Sequence, residues 1–367
     1  MLRNKSIMKM FCIYLAFFAL LEAGSRIWLR YFATPLQQES YISYTGMSPE
    51  KYKWTRHHYL NYYPNPNYKK DFIFHNSLGY RGKEFPIKKS KGVYRIVVLG
   101  GSSTYDTAIK DNAKTFTTQL EKILREQYDY KDIEVINAGA AGYSSWESLI
   151  NLQFRVLDIE PDLVIVYHGV NDVHARLVLP SAYQGDNSGR VKQWQKPKIL
   201  FWEYSCFLRI LSRKLGISHQ VGLDTFVCAS TAFNYPWTGY PQDYILEVVE
   251  KNPPVFFRRN LDNMIAISEQ HGVKIMLTTW VSSPYFDDNI PRLVYQQGLK
   301  ENNDVVKETA EAHDVPLFDF AAIMPKDKEY WYDGRHNNAR GARRKAELFA
   351  EFIHKNDLIP KKANKLK

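Results

Sequence analysis

The chain has 367 residues, 45% hydrophobic and 24% charged, which suits one large α/β domain with insertions, or two small domains, and excludes a largely disordered chain. The formal net charge of +10 suits anionic partners, but the basic residues are spread out. With no zinc-finger spacing, RRM signature or basic heptad region beside them, nucleic acid is not an expected partner.

The first nine residues carry Arg3, Lys5 and Lys9, and an unbroken run of 12 apolar residues follows, Met10 to Leu21. That length fits a signal-peptide core, with Ala23 and Ser25 at the small-residue positions of a cleavage site. A signal anchor spanning Ile7 to Leu29 is the rival, with Lys9 and Arg26 snorkelling to the interfaces. A buried helix of a cytosolic protein is a third alternative. The basic flank before the run favours an inside N-terminus, so the rest of the chain is expected outside, membrane-anchored or else secreted after cleavage. Cys12 lies in this run. In an exported domain Cys206 and Cys228 are then available for a disulfide. No Cys/His cluster has metal-ligand spacing, so no metal site is expected.

The expected organisation is a signal anchor or signal peptide over 1–30, an irregular extension over 31–90, a main domain over 91–358 with an insertion at 174–255, and a basic tail at 359–367. Within the extension, HNSLGYRGKEF (His75 to Phe85) reads as a loop whose two glycines allow turns. Regular alternation starts at Tyr94. RIVVLG (Arg95–Gly100) predicts a buried parallel strand and FTTQLEKILREQY (Phe116–Tyr128) an amphipathic helix. IEVIN (133–137), DLVIVYHG (162–169), VKIMLTTW (273–280) and VPLFDF (315–320) predict four more strands. Helices are predicted over 144–159, 256–272, 289–313 and 339–355. Strands alternating with helices imply a three-layer α/β sandwich: a five-stranded parallel sheet with helices on both faces. The insertion's PKILFWEYSCFLRILSRKLG (Pro197–Gly216) predicts an amphipathic helix lying on a membrane, over the active site, or simply packed on the domain.

Ligands of such sheets bind beyond the carboxyl ends of the strands, so the residues following each strand are the ones to read for chemistry. Strand one ends in GGSSTYD, with Ser102 in a tight glycine turn and Ser103 as the rival nucleophile. Strand two ends in NAGAAGYSS, where a glycine N–H could serve as an oxyanion donor. Strand three ends in HGVND, where Asn171 offers an amide. In YDGRHNNARG, Asp333 and His336 are spaced so that a carboxylate can hold the imidazole Nδ1–H and leave Nε2 free to take a proton. Alone, each block has an ordinary structural counterpart, such as a surface pair, a helix cap or a turn. In that order and placement they resemble the SGNH hydrolases, also called GDSL-type esterases and lipases, over residues 94–172 and 273–355. The phrase NSLGYRG with the N-terminal segment looks like the exported, membrane-anchored bacterial members.

The resemblance implies an SGNH/flavodoxin-like fold and a serine esterase. It makes Ser102 the nucleophile, Asp333 and His336 its partners, and Ser102, Gly142 and Asn171 the oxyanion donors, with no cofactor. The family's Gly-Asp-Ser has Gly101 in place of its aspartate. The expected substrate is a small-molecule, lipid or polysaccharide ester. An O-acyltransferase acting on a cell-envelope glycan, a lipid esterase and a non-catalytic binding module are the alternatives. Trp280, just past strand four, reads either as a cleft residue or as an ordinary strand-end aromatic.

Overall fold

The computed structural model describes residues 2–43, 52–190, 200–218, 240–286 and 291–360. Backbone proximity divides the chain into two compact units, Met1–Tyr52 with Trp194–Phe226, and Lys53–Gln193 with Val227–Lys367.

The first unit is helical. Its 30-residue helix Leu2–Tyr31 is about 45 Å long at 1.5 Å per residue. The window Lys5–Tyr31 is long and apolar enough to cross a membrane, and Phe11, Ile13, Leu15, Phe17 and Leu20 are all exposed. The candidate cleavage positions Ala23 and Ser25 lie inside this helix. The helix Pro35–Tyr41 starts at Thr34, whose hydroxyl and the Gln37 side chain form a reciprocal cap. The single helix expected over Pro197–Gly216 is instead a 3₁₀ turn, Phe201–Glu203, and a helix, Cys206–Lys214; residues 197–199 lie outside the described set. The break falls at Ser205, whose Oγ accepts from the Leu208 N–H at 3.1 Å, the capping role serine prefers to helix interior. Cys206 is a buried free thiol, and Cys228 lies outside the described residues.

The second unit opens with two small antiparallel hairpins, β1 (Trp54–His57) with β2 (Asn61–Pro64), and β3 (Lys69–Lys70) with β4 (Ile73–Phe74). The segment expected to be irregular therefore contains strands. At two to four residues each, they are too short for alternation to register in sequence. The main sheet comprises β5 (Tyr94–Gly100), β6 (Ile133–Gly139), β7 (Leu163–Tyr167), β8 (Lys274–Thr278) and β9 (Leu317–Phe318). All neighbours pair parallel, in the order β6-β5-β7-β8-β9. The five expected strands are all present, β9 shortened to two residues.

Side chains alternate across β5 and so feed two cores. Ile96 and Val98 pack with Phe116, Leu120, Leu124 and Phe349 on one face. Val97 and Leu99 pack with Leu152, Val156, Leu261 and Met264 on the other. That makes the three-layer sandwich of the flavodoxin-like type. The helix expected over 144–159 is α-helical only for Ser145–Asn151, then widens into a π turn (Leu152–Val156) and tightens into a 3₁₀ turn (Leu157–Ile159).

Candidate active site

β5 ends at Gly100, and a four-residue helix, Ser102–Tyr105, follows Gly101. So short a helix cannot satisfy its own carbonyls, and the rest of the unit supplies the donors. Asp106 and Thr107 donate backbone N–H groups to the Ser102 carbonyl. Lys345 donates to the Ser103 carbonyl (3.0 Å), Asn137 to Thr104 (2.8 Å), and one Arg81 nitrogen to both Tyr105 and Asp106 (2.8 Å each). Arg81 also binds the Ile109 carbonyl and Asn112 Oδ1. The phrase containing it is thus more than a loop: it buttresses the Ser102 turn. His75 reinforces it. Its Nδ1 faces the Asn65 carbonyl at 2.8 Å, which can only accept, so Nδ1 carries the proton and Nε2 accepts from Tyr105 Oη at 2.7 Å. Burial holds His75 down to about 3, against the raising effect of the Asn65 bond, so the ring is neutral.

Three of the anticipated residues form one hydrogen-bonded line. Ser102 Oγ lies 2.8 Å from His336 Nε2, and His336 Nδ1 lies 2.8 and 3.0 Å from the Asp333 oxygens. Asp333 also accepts from the N–H groups of Arg335 (2.7 Å) and His336 (2.8 Å). Burial pushes the Asp333 carboxyl up, but the bonds and charge of His336 and these N–H groups outweigh it and hold it down at about 2. Ser103 points elsewhere: its Oγ donates to the Arg335 carbonyl at 3.0 Å.

Asn171 follows β7 on the helix Val170–Arg176, and its Nδ2 donates to the Tyr143 carbonyl at 2.8 Å. Gly142 sits beside Tyr143 with φ +83, a conformation glycine adopts without cost. A Cβ on Gly101 would lie 2.5 Å from Asn171 Nδ2 and 2.9 Å from the Tyr143 carbonyl. The missing aspartate of the motif thus has a steric counterpart, because the Asn171 amide fills that space. Asp172 accepts from Ser145 N (3.0 Å) and Oγ (2.6 Å), tying strand-three and strand-two loops together. Its carboxyl is buried, which raises it to about 7 against the lowering bonds from Ser145.

Beside Asp333–His336 lies a cavity of about 330 Å³ whose lining includes Val170, Trp280, Phe286, Tyr295, Leu299 and Arg335. Trp280 is buried, stacks on Tyr167 and forms part of this wall. Among the described residues no group of His, Cys, Asp and Glu is arranged to hold a metal ion.

Residues 98–344 match the model of the GDSL-like lipase/acylhydrolase family. Solved structures with a similar fold include a lipase/acylhydrolase from Enterococcus faecalis (20% identity, 74% of this chain and 100% of that one, TM-score 0.42). Another is an acetyl xylan esterase from Geobacillus stearothermophilus (14% identity, 73% and 97%, TM-score 0.44). A search of curated protein sequences returns no match.

Proposed function

With two thirds of its length matching the family model, the chain belongs to the GDSL-like lipase/acylhydrolase family and is an ester-hydrolysing enzyme; on that premise we propose that Ser102 is its nucleophile, served by His336 and Asp333, in a membrane-anchored, extracytoplasmic esterase for short acyl groups. The observation that carries the reading is the unbroken line Ser102–His336–Asp333, with 2.8 Å at both junctions.

In this mechanism His336 Nε2 takes the Ser102 proton as Oγ attacks the ester carbonyl. Asp333 fixes the tautomer that leaves Nε2 free and stabilises the imidazolium that forms. The developing oxyanion is met by the N–H groups of Ser102 and Gly142 and by Asn171. Asn171 spends one amide N–H on Tyr143 and keeps a second for the oxyanion. His336 then returns its proton to the leaving alcohol, and water, activated by the same imidazole, releases the acid. The cavity beside the site, of about 330 Å³, offers room for part of a small ester. The helix Leu2–Tyr31 serves as the anchor, with Lys5 and Lys9 on the cytoplasmic side.

The test is labelling by a fluorophosphonate probe, with peptide mapping, in the wild type and in Ser102→Ala and Ser103→Ala. The expected result is a label on Ser102, lost with turnover in Ser102→Ala and kept in Ser103→Ala. A label on any other residue, or equal loss in both variants, refutes the assignment.

A further inference from the structure

In the first unit the segment 200–217 buries guanidinium groups and leaves much of its apolar side-chain surface exposed. The buried positions of its helix Cys206–Lys214 are Cys206, Arg209 and Ser212. Arg209 is only 7% exposed and donates to the carbonyls of Tyr41 and Glu203, both at 2.7 Å. Arg213 likewise donates to the carbonyls of Ser40 and Ile42 and forks onto the Glu203 carboxylate. Apolar side chains on and beside the helix are exposed: Leu211 on it, and on the flanking turns Phe201 at 70%, Leu215 at 63% and Ile217 at 64%, with Leu200 and Tyr204, while Phe207, Leu208 and Ile210 are half-buried. A helix facing water buries its apolar side and leaves its guanidinium groups wet. This arrangement matches a segment lying in a lipid interface.

The attachment of the segment sets its depth. Phe207 packs edge-on against Phe18 of the long helix. One turn further along that helix, Glu22 takes the first turn of Cys206–Lys214. Its carboxylate accepts from Ser205 Oγ (2.7 Å) and from the N–H groups of Cys206 (2.9 Å) and Phe207 (3.0 Å), and pairs with Arg26 at 2.6 Å. If Ile7–Leu29 spans the hydrocarbon, Glu22 lies about 10 Å inside its outer edge, at 1.5 Å per residue. A carboxylate at that depth is costly unless fully partnered, and here four donors surround it. Interfacial helices sit at a similar depth, roughly 5–10 Å into the headgroup and acyl boundary. Trp28 and Tyr31 of the long helix, with Trp202 and Tyr204 of the second segment, supply interface aromatics. Exposed Arg30 and Lys214 supply cations for lipid phosphates.

We propose that residues 200–217 are a second membrane element: a segment half-embedded in the leaflet at the C-terminal end of the anchor, fastened to it by Glu22, its Leu200, Phe201, Leu211, Leu215 and Ile217 face in contact with phospholipid. The proposal rests on the anchor reading above and is independent of the esterase chemistry.

The test is site-directed spin labelling of the full-length chain in phosphatidylethanolamine–phosphatidylglycerol vesicles. Cys12, Cys206 and Cys228 are replaced by alanine, and labels are placed through Leu215→Cys, Ile217→Cys, Leu15→Cys in the anchor and Lys88→Cys in the second unit. The expected result is that oxygen collides with labels at 215, 217 and 15 severalfold more often than a water-soluble nickel reagent does, with the reverse at 88. Nickel-accessible labels at 215 and 217 beside a lipid-like 15 overturn this proposal alone, and a water-like 15 overturns the anchor with it. Labels at 215 and 217 shielded from both reagents would show a protein partner or a second copy on this face and equally overturn the proposal. A wild-type control needs no substitution. A phosphatidylethanolamine carrying a photoreactive acyl chain should label peptides within 200–217 as well as the anchor, and adducts confined to the anchor overturn the proposal.

Discussion

Adding a single methyl group at residue 101 should disable the enzyme, although the family motif carries a larger side chain there. The backbone of Gly101 has a negative φ of −89, so Gly101→Ala does not meet the strain of a left-handed position. The conflict is steric. The new Cβ would lie 2.5 Å from Asn171 Nδ2 and 2.9 Å from the Tyr143 carbonyl. The backbone carbonyl is held in its turn, so the Asn171 amide is the group that yields, breaking its 2.8 Å bond to Tyr143. If that amide is an oxyanion donor, its displacement should lower kcat by about 10²- to 10³-fold, the usual worth of one donor. The assay is kcat on p-nitrophenyl acetate, with the thermal midpoint by circular dichroism to show that the fold survives. A double-mutant cycle with Asn171→Ala makes the argument specific, because residues acting as a unit are not additive. Gly101→Ala/Asn171→Ala should be no slower than Asn171→Ala alone. An unchanged kcat in Gly101→Ala, or losses that multiply in the double variant, would refute the reasoning.

Further outcomes follow from the same geometry. Arg81→Ala leaves the buried carbonyls of Tyr105, Asp106 and Ile109 without their side-chain donor, which should cost at least about 3 kcal/mol; a wild-type midpoint in a denaturant titration would contradict the buttress. Asp333→Asn should lower kcat by about 10⁴-fold by presenting the wrong imidazole tautomer. The Asp333 carboxyl is held down at about 2, so its stabilising ionisation is complete above the unfolded value near 4 and is lost only as pH falls toward 2; a stability difference between wild type and Asp333→Asn that varies with pH between 5 and 7 would speak against this. Burial, opposed by Asp106, pushes Lys345 down to about 7. Between there and the unfolded lysine range the unfolded chain binds the extra proton, so stability relative to Lys345→Met should rise with pH, by at most about 1.4 kcal/mol per pH unit. A flat or falling difference from pH 7.5 to 9.5 would be the contrary result.

What was legible in the sequence was what is local to a strand end. Ser102, Gly142 and Asn171 each stand within a few residues of an apolar run that stops at small residues, and Asp333 and His336 share one short loop. Strand periodicity points to these loops, and the resemblance of their blocks, in chain order, to the SGNH pattern is what nominates all five. The supports of the site were not legible, for a physical reason. Arg81, Asn137 and Lys345 bind backbone carbonyls, and a carbonyl leaves no letter in a sequence, so nothing marks these residues as partners of the Ser102 turn. HNSLGYRG reads as a loop because its glycines and asparagine are turn formers, while the partners of its Arg81 lie 24 to 31 residues ahead. Asp172 reads as a turn former for the same reason, although its partner is Ser145. The polarity of Cys206–Lys214 was likewise hidden. Its letters announce an amphipathic helix, but which face is solvated depends on what lies outside the protein.

The four-residue helix at Ser102 shows why so much of the unit converges on one turn. A longer helix would satisfy its carbonyls internally and hold the serine by itself. This one ends at Asp106, left-handed at φ +61, so its last carbonyls point into the protein. Their donors come from the hairpin extension (Arg81), from β6 (Asn137) and from the final helix (Lys345). Each of these three parts therefore has a hold on the position of Ser102 Oγ relative to His336. Loosening any one should raise the disorder of Ser102 before it unfolds the domain. Substitutions more than 20 residues away in sequence should accordingly lower kcat with little effect on KM, because they disturb alignment in the transition state more than ground-state binding.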